Sequence, residues 1–381
     1  MAPLDSADFA AWFRLLETPG LGREKARRLL AALGEPAAVL ASPPAVLRDV
    51  VGPKLAEALQ QEPPDFAARL QAAQAWLAGG GQRHVLTLGH PAWPPLLLQA
   101  ADAPLLLYAE GDLSALSAPA VAVVGSRQPT PQGRDNAEHF AHELASAGWV
   151  VVSGLAQGVD AAAHEGALAA GGRTVAVVGT GLDQCYPARH RALARRIAEQ
   201  GALLSEYAPG TPPLAEHFPQ RNRLIAALAR GTLVVEAALR SGSLITARLA
   251  NEAGREVWAI PGSIHAPQSR GCHALIKQGA ALVESVQDML DELDPSATPQ
   301  PAATAAPAQA DLPWQPTETA APTAPTDPLL AALGDDPVAL DTLLARTGES
   351  TATLNARLLE LELTGHVARL PGGLFQRRHR G

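Results

Sequence analysis

Cysteine and aromatic residues are both scarce in this chain of 381 residues. The two cysteines, Cys185 and Cys272, form neither a metal-ligand spacing nor a disulfide framework, so we expect buried thiols and no metal site. Aromatic residues make up 4% of the chain, which argues against an extended base-stacking platform. Apolar residues make up 47%, which is ample for a packed core.

Long apolar segments are missing too. No run of 18 apolar residues occurs, and the N-terminus carries Asp5 and Asp8 where a targeting signal would have a basic start before an apolar stretch. We therefore expect a soluble, cytoplasmic protein that makes no membrane contact.

The motifs of common nucleotide enzymes are also missing. No Walker Gly-Lys-Ser/Thr run is present, and no Gly-x-Gly-x-x-Gly run follows a predicted strand. No Ser–His–Asp order stands out. We expect no cofactor and no catalytic residues.

Acidic residues exceed basic ones, and the formal net charge is −8, but the excess is confined to one segment. Residues 291–345 carry nine acidic and no basic side chains, whereas residues 84–290 carry 17 acidic and 15 basic ones. A near-neutral core still binds a polyanion if its arginines cluster, because the local potential decides. Only three lysines occur. The use of arginine fits forked phosphate contacts, but it equally fits the composition of a GC-rich genome.

The main positive feature is a pattern that recurs at least four times between Val121 and Ala281: an apolar run, a turn of small residues and a helical stretch. The turns lie at 125–127, 153–160, 179–181 and 241–243, and an arginine-rich segment lies at 218–223. Backbone N–H groups in such turns approach an anion closely, and the helix dipole favours negative charge there. Several such turns with three arginines predict a run of phosphates, and hence a binder of single-stranded nucleic acid.

Seven apolar runs predict the strands of one sheet: Val121–Val124, Val150–Val152, Val175–Val178, Ala202–Ser205, Leu233–Glu236, Val257–Ile260 and Ala281–Val283. The runs are nearly continuous, as expected of strands covered on both faces, and they alternate with helical patterns. We predict an α/β fold with a Rossmann-like, doubly wound, mostly parallel sheet. Ligands of such sheets bind beyond the carboxyl ends of the strands, where all the small-residue turns fall. Shorter runs at 85–88 and 105–108 extend this sheet or cover its edge.

We divide the chain into a small helical domain (1–83), the Rossmann-like core (84–290), a Pro/Ala-rich acidic linker (291–328) and a winged-helix domain (329–381). The helical domain contains turns at Gly22 and Gly52 that precede helical patterns. They fit either paired helix-hairpin-helix units, as in SAM-like domains, or a plain helical bundle. The linker is Pro-rich and lacks the composition to build a core.

The winged-helix prediction rests on three leucine patterns followed by a hairpin around Pro371-Gly372-Gly373. The third helical pattern carries Arg357, but also Glu360 and Glu362. A helix that reads DNA is normally more basic, so a protein-contact or auxiliary role competes with DNA reading.

Four runs of the core closely resemble the DprA/Smf family, and they occur in the family's order. They are Val-Ala-Val-Val-Gly-Ser-Arg (121–127), Ser-Gly-Leu-Ala-Gln-Gly-Val-Asp-Ala-Ala-Ala-His (153–164), Phe-Pro-Gln-Arg-Asn-Arg-Leu-Ile-Ala (218–226) and Glu-Ala-Ala-Leu-Arg-Ser-Gly-Ser-Leu-Ile-Thr-Ala (236–247). The resemblance implies a core that binds single-stranded DNA and forms a homodimer. It also implies protection of incoming DNA during natural transformation, displacement of single-strand-binding protein and loading of the RecA recombinase.

The turns and the resemblance together give a set of candidate DNA-binding residues: Gly125, Ser126, Arg127, Ser153, Gly154, Gly158, Gly179, Phe218, Arg221, Asn222, Ser241, Gly242, Ser243, Thr246 and Lys277. The residues expected to support the site structurally are Asp160, His164, Arg223 and Glu236.

The arginines have distinct expected roles. Arg127 clamps a phosphate through its planar fork, unless an ion pair with a neighbouring acid occupies it. Arg221 and Asn222 contact DNA or the facing loop. Arg223 braces Glu236 or Asp160 from beneath.

Gly154 and Gly158 permit either close approach of DNA or tight packing of strand on helix, and the two uses are compatible. Phe218 either stacks on a base or acts as a buried helix staple. Asp160 and His164 lie four residues apart, and two such residues alone do not make a metal site, so structural hydrogen bonds are expected.

Ser241 or Ser243 is expected to be the N-cap of a helix. The start of that helix either contributes to the DNA site or is an ordinary capped helix end. Lys277 corresponds, by the resemblance, to a basic residue of the DNA groove, and the alternative is a solvated lysine.

The competing class is a nucleotide-processing enzyme related to phosphoribohydrolases, whose Rossmann-like cores carry a Pro-Gly-Gly-x-Gly-Thr-x-x-Glu run. The nearest stretch here, residues 229–236, lacks the leading Pro-Gly-Gly, and its Glu236 comes one residue late. A shift of one residue along a strand turns the side chain to the opposite face. We therefore expect the carboxylate to miss the groove.

Overall fold

The computed structural model describes residues 5–80, 82–100, 102–264, 266–293, 327–333 and 337–378. Within these ranges no helix has the length and apolar character needed to cross a membrane. Most of the predicted linker, residues 294–326, lies outside the described residues.

The N-terminal part is helical. Its helices are α1 (Ser6–Leu16), α2 (Arg23–Leu33), α3 (Pro36–Ala41), α4 (Pro44–Val51), α5 (Pro53–Gln60) and α6 (Phe66–Ala78). The two predicted turns do precede helices, since α2 follows Gly22 and α5 follows Gly52. Proline stands at the start of α3, α4 and α5, where its missing N–H costs no helical hydrogen bond.

One large sheet forms the centre of the molecule. Its strands are β1 (Arg83–Thr87), β2 (Leu106–Gly111), β3 (Ala120–Val124), β4 (Val150–Ser153), β5 (Thr174–Val178), β6 (Ala202–Ser205), β7 (Gly231–Val234), β8 (Glu256–Ala259) and β9 (Ala281–Leu282). The spatial order is β1-β2-β6-β5-β4-β3-β7-β8-β9. Strands β3 to β9 pair in parallel, and β1 and β2 are antiparallel additions at one edge.

This topology confirms the predicted fold class. Each of the seven predicted strands is present, and the two shorter runs extend the sheet. The physical reason is visible in β3, where Ala122 and Val124 pack on one face and Val121 and Val123 on the other. A strand buried on both faces needs apolar residues at consecutive positions.

Helices cover both faces of the sheet: α7 (Pro131–Ser146), α8 (Val159–Ala169), α9 (Arg191–Gln200), α10 (His217–Leu228), α11 (Ser243–Glu252), α12 (Arg270–Lys277) and α13 (Val286–Leu293). Residues of α10, α11 and α12 pack on one face, whereas α7, α8, α9 and α13 pack on the other. The helix α13 continues three residues into the segment predicted as linker, because Met289 and Leu293 are buried against the sheet.

The strand order reverses between β3 and β7. From β3 the chain proceeds through β4, β5 and β6 in one direction, and from β7 it proceeds through β8 and β9 in the other. The loops that follow β3 and β7 therefore diverge and leave a crevice at the carboxyl ends of these strands. Open α/β sheets bind their ligands at this kind of position.

The N-terminal helices pack on the antiparallel edge of the sheet. Phe13 of α1 and Trp76 of α6 share an apolar cluster with Tyr108 of β2, and the Trp76 and Tyr108 rings meet edge to face. A second cluster, around Leu29 and Leu47, lies among the helices themselves. The helical part is thus attached to the core by buried aromatic surface.

The C-terminal part is a winged helix. It contains α14 (Pro328–Leu333), β10 (Val338–Ala339), α15 (Leu340–Thr347), α16 (Thr351–Leu363), β11 (Val367–Leu370) and β12 (Leu374–Arg377). The hairpin of β11 and β12 turns at Gly372 and Gly373, which both have positive φ angles. The three predicted helices and the wing are all present.

Candidate nucleic-acid interface

A cavity of about 490 Å³ lies in the crevice between the loops after β3 and β7. Three of the predicted small-residue turns and the arginine-rich segment meet there. The residues that line it are Val124, Gly125, Ser126, Arg127, Ala156, Asp160, Phe218, Pro219, Arg221, Asn222, Ile225, Ala238, Arg240, Ser241, Gly242, Ser243, Ile245 and Thr246.

Arg127 stands on the turn after β3 with an exposed side chain. In the described part of the chain no carboxylate lies within ion-pair distance of its guanidinium, so the alternative of an ion pair does not apply. The turn itself is held by Ser126, whose N–H donates to the Glu236 carbonyl at 2.7 Å. The Ser126 hydroxyl accepts the N–H of Gln128 at 3.0 Å.

The turn after β4 is closed by its own carboxylate. Asp160 of α8 accepts the N–H groups of Gly154 at 3.1 Å and of Ala156 at 3.3 Å. Burial raises the pKa of Asp160, while the positive charge of Arg221 and the two amide hydrogen bonds oppose the rise. These two amides are therefore not free to bind a phosphate, which is contrary to the idea that every turn offers its N–H groups outward.

Arg221 lies beneath that turn. Its side chain is buried, and it donates hydrogen bonds to the carbonyls of Gly154 and Val177. Burial lowers the pKa of Arg221 to about 10, with Arg127 contributing in the same direction and Asp160 against it. Arg221 was predicted to contact either DNA or the facing loop, and in the structure it contacts the loop after β4.

Gly154 and Gly158 are required by packing. A Cβ atom on Gly154 would lie 2.2 Å from the Arg221 guanidinium, and one on Gly158 would lie 2.4 Å from the Ser126 carbonyl oxygen. Gly158 also has a φ of +85°. Any side chain at either position would displace the turn that carries Arg127 or the arginine below it.

The turn after β7 leads into α11. Its N-cap is Gly242, so the prediction of Ser241 or Ser243 as N-cap was wrong. The Ser241 hydroxyl is instead bonded to the Ser243 hydroxyl at 2.6 Å and accepts the Ser243 N–H at 3.3 Å. Ser241 thereby holds the first turn of α11, while the buried Thr246 forms part of the cavity wall.

The helix α10 brings Phe218 and Asn222 to the same cavity. The Asn222 side-chain amide donates to the Gly242 carbonyl at 3.4 Å, which links α10 to the turn after β7. Phe218 is half-buried and its ring contacts that of Tyr186, so it is neither fully exposed nor sealed in the core.

Five predicted residues do not line the cavity: Gly154 and Gly158, whose packing is described above, and Ser153, Gly179 and Lys277. Ser153 is buried, and its hydroxyl donates to the Val123 carbonyl at 2.7 Å. Gly179 packs against Phe218, since a Cβ atom on it would lie 3.3 Å from the ring. Lys277 ends α12, a helix that begins near the carboxyl ends of the strands and runs back toward β9, so its last residue points away from the crevice rim.

Arg240 lines the cavity but was missed by the sequence analysis. It is exposed, and none of the described carboxylates lies within ion-pair distance of it. The signal that was available is its position, since Arg240 directly precedes the Ser241-Gly242-Ser243 turn.

Glu236 and His164 make structural hydrogen bonds, which is the kind of contact expected for His164, whereas the partner of Glu236 is Thr130 and not the expected Arg223. Glu236 accepts the Thr130 N–H at 2.9 Å and the Thr130 hydroxyl at 2.5 Å, and burial raises its pKa. The imidazole Nδ1 of His164 lies 2.7 Å from the Thr174 hydroxyl, and burial lowers the pKa of His164 to about 3. Both side chains fix elements behind the cavity.

Arg223 does not contact Glu236 or Asp160, and that prediction was wrong. Its guanidinium binds Glu206 and the side chain and carbonyl of Asp102. Arg23 of α2 shares the same two acids, at 2.8 Å from Asp102 and 3.3 Å from Glu206. Arg223 comes two residues after Arg221 on a helix, and a helix turns these two side chains about 200° apart, so they face different neighbours.

Two family models match the chain. The model of DNA recombination-mediator protein A matches residues 84–294, and that of the DprA winged helix domain matches residues 295–373. Protein Smf of Escherichia coli K12 is 42% identical over 314 residues, which is 81% of each chain. DNA processing protein DprA of Streptococcus pneumoniae R6 is 52% identical over 202 residues, covering 53% of this chain and 71% of the relative.

Solved structures are similar as well. The X-ray structure of DNA processing protein A from Streptococcus pneumoniae superposes with a TM-score of 0.65 at 39% identity, covering 74% of this chain and 97% of the other. A structure of DNA processing protein A from Helicobacter pylori, described for its single-stranded DNA binding mode, gives a TM-score of 0.50 at 34% identity, with 55% and 95% covered. The recombination-mediator model covers more than half of this sequence, and the Escherichia coli relative is similar over most of its length. The chain therefore belongs to the DprA/Smf family of DNA recombination mediators.

Proposed function

We propose that the protein binds single-stranded DNA in the cavity at the strand-order reversal, with Arg127 and Arg240 holding phosphates. The observation that carries the proposal is this pair of exposed arginines on two turns around one cavity, without a carboxylate partner among the described residues. A guanidinium that is free of an ion pair binds a phosphate without first losing an existing partner, and its fork fits two phosphate oxygens.

Backbone groups add to this attraction. In the described part of the chain, the N–H groups of Arg127 and Gly242 make no hydrogen bond. Gly242 immediately precedes α11, whose N-terminal end carries partial positive charge. A phosphate between these two turns would receive two amides, a helix end and a guanidinium.

The preference for a single strand follows from Phe218. Its half-buried ring lines the cavity beside the arginines. A base that stacks on this ring must leave the duplex stack, because in a duplex the faces of each base are covered by its neighbours. The binding mode of the related Helicobacter pylori protein supports the same ligand.

We extend the proposal to the role of a recombination mediator. The bound strand would be protected, freed of single-strand-binding protein and passed to RecA in the cytoplasm. A homodimer would present two cavities to one strand, and linked sites raise the overall affinity. The match to the recombination-mediator family model supports this extension.

The alternative function, nucleotide hydrolysis, lacks a carboxylate at the right place. Glu236 faces Thr130 at the start of α7 and does not line the cavity. Asp160 does line it, but both of its amide contacts and its burial hold it as a structural acceptor. We therefore propose that the protein binds the DNA strand in the cavity and releases it without cleaving it.

The test is the substitution Arg127→Ala, measured by the affinity for a single-stranded oligonucleotide across a series of salt concentrations. We expect the affinity at low salt to fall about tenfold, because one charge-assisted phosphate contact is lost. We also expect the negative slope of log affinity against log salt to become shallower by about 0.7, the value for one phosphate of a single strand.

The matched control is Arg196→Ala, which removes an exposed arginine that pairs with Glu165 on the outer helices. It changes the net charge equally, so we expect an unchanged slope. Equal effects of the two substitutions would show that total charge, and not this cavity, governs binding. An unchanged slope for Arg127→Ala would remove Arg127 from the interface.

A further inference from the structure

An exposed aromatic ring stands beside the cavity on the loop after β5. Tyr186 is 50% exposed, and its ring lies 5.3 Å from that of Phe218 at an angle of 44°. Phe218 also lines the cavity, so the two rings form a continuous apolar surface that runs from the cavity onto the loop. We call this pair of rings the ring platform.

The platform is held in place from below. The Phe218 ring packs on the backbone of Gly179, where a Cβ atom would lie 3.3 Å from its edge. The loop that carries Tyr186 is attached to the turn after β4 at two points. Arg189 donates to the Gln157 side chain, and the His190 Nδ1 lies 3.0 Å from the Leu155 carbonyl.

That neighbouring turn is packed into the core through Leu155. Leu155 has a φ of +58°, in the left-handed region that costs a non-glycine residue free energy. Its side chain is buried among Leu168, Ala176 and Leu193, which compensates for the unfavourable backbone. Tyr186 is therefore exposed on a loop that is hydrogen-bonded to a packed turn.

A cationic group accompanies the platform. Arg189 is exposed three residues after Tyr186, and in the part of the chain that the structure describes no carboxylate lies within ion-pair distance of it. Its contact with Gln157 is neutral and leaves the positive charge uncompensated. An exposed ring and an uncompensated arginine three residues apart in the chain are suited to hold a base and the adjoining phosphate.

We propose that the strand leaves the cavity across Phe218 and that its next base stacks on Tyr186, with the adjoining phosphate on Arg189. This inference rests on the proposed binding of single-stranded DNA, and it adds the direction that the strand takes over the protein. It assigns the loop after β5 to the interface, although this loop does not line the cavity. The bound length thereby grows by at least one nucleotide on the β5 side.

The test combines Tyr186→Ala and Tyr186→Phe with the same salt series. Removal of a stacking ring lowers the affinity about tenfold without changing the salt slope, because no phosphate contact is lost. The Phe variant retains the ring and binds like the wild type. Arg189→Ala, in contrast to Tyr186→Ala, makes the negative salt slope shallower by about 0.7, because a phosphate contact is lost.

A second measurement isolates the base. Oligonucleotides that carry one abasic site at successive positions are titrated against the wild type and Tyr186→Ala. At one position the missing base costs affinity only in the wild type, since the substitution and the abasic site remove the same contact. Thermal unfolding of each variant checks that the half-exposed side chain is not needed for folding.

The outcomes separate the two proposals. If Arg127→Ala loses binding while Tyr186→Ala keeps full affinity and shows the same abasic effects as the wild type, the proposed path over Tyr186 is overturned. The cavity then remains the proposed DNA site. Equal loss in the Ala and Phe variants would overturn stacking in favour of a hydroxyl contact. Full affinity in Arg127→Ala and Tyr186→Ala alike would contradict the cavity as the binding site, and a wild type that does not bind the oligonucleotide would contradict the proposed function itself.

Discussion

At the scale of single residues, the cavity works differently from a set of amide-lined loops. Asp160 occupies two of the amides that the glycine-rich turn was expected to offer. The charge that remains available belongs to Arg127 and Arg240. Buried polar residues thus shape the turns, and exposed guanidinium groups are left to attract the ligand.

The buried His164 predicts a pH dependence of stability. Its ordinary pKa is 6.5 and burial lowers it to about 3, so the folded state keeps the imidazole neutral while the unfolded state takes up a proton below pH 6.5. The stability that this neutral form provides is complete above pH 6.5 and is lost as the pH falls toward 3. At pH 5 we expect the wild type to have lost about 2 kcal/mol through this group.

The measurement is urea denaturation of the wild type and His164→Gln at pH 7 and pH 5. Glutamine keeps a polar group near the Thr174 hydroxyl but does not titrate. The variant should lose less stability than the wild type between the two pH values. The same loss in both proteins would mean that His164 is protonated in the folded state or accessible to water.

At the scale of elements, α10 divides its side chains among three tasks. Phe218 and Asn222 face the cavity, Arg221 lies under the turn after β4, and Arg223 reaches Glu206 and Asp102. Because Arg23 of α2 binds the same two acids, the N-terminal helices are attached to the helix that builds the site.

This network predicts unequal effects of removing two glutamates. The Glu206 side chain is 13% exposed and that of its partner Arg223 is 12% exposed, so Glu206→Ala leaves a largely buried cation with the half-exposed Asp102 as its remaining acid among the described residues. We expect a loss of about 2–3 kcal/mol in the free energy of unfolding, measured by denaturant titration. Glu252→Ala is the control, since its pair with Arg248 is exposed and contributes roughly 0.5 kcal/mol at most. Equal losses in the two variants would contradict a structural role for the network.

The sheet was predictable because its strands are buried on both faces, and such strands show uninterrupted apolar runs. The position of the turns at one edge of the sheet was predictable too, because the carboxyl ends of parallel strands all lie at the same edge. The burial of Arg221 was not predictable, since it depends on Gly154 and Val177, which are distant in sequence. The missed role of Arg240 and the wrong partner of Arg223 have the same cause, because loops and neighbouring domains decide where an arginine points.

At the scale of the molecule, the helical part, the core and the winged helix differ in what they offer a nucleic acid. The winged helix presents exposed Leu359 and Leu363 on α16, and its Arg357 is paired with Asp327 and Glu349. Its last described residue, Arg378, binds Asp135 on α7 of the core. The cavity of the core therefore combines uncompensated positive charge with an aromatic ring, which α16 does not.

The most direct test of DNA binding in the cavity is photocrosslinking of the protein to a single-stranded oligonucleotide that carries 5-iododeoxyuridine, followed by mass spectrometry of the peptides. The iodinated base reacts with aromatic side chains that it stacks on, so we expect an adduct on Phe218. Adducts confined to the N-terminal helices or to the winged helix, with Phe218 unmodified, would contradict it.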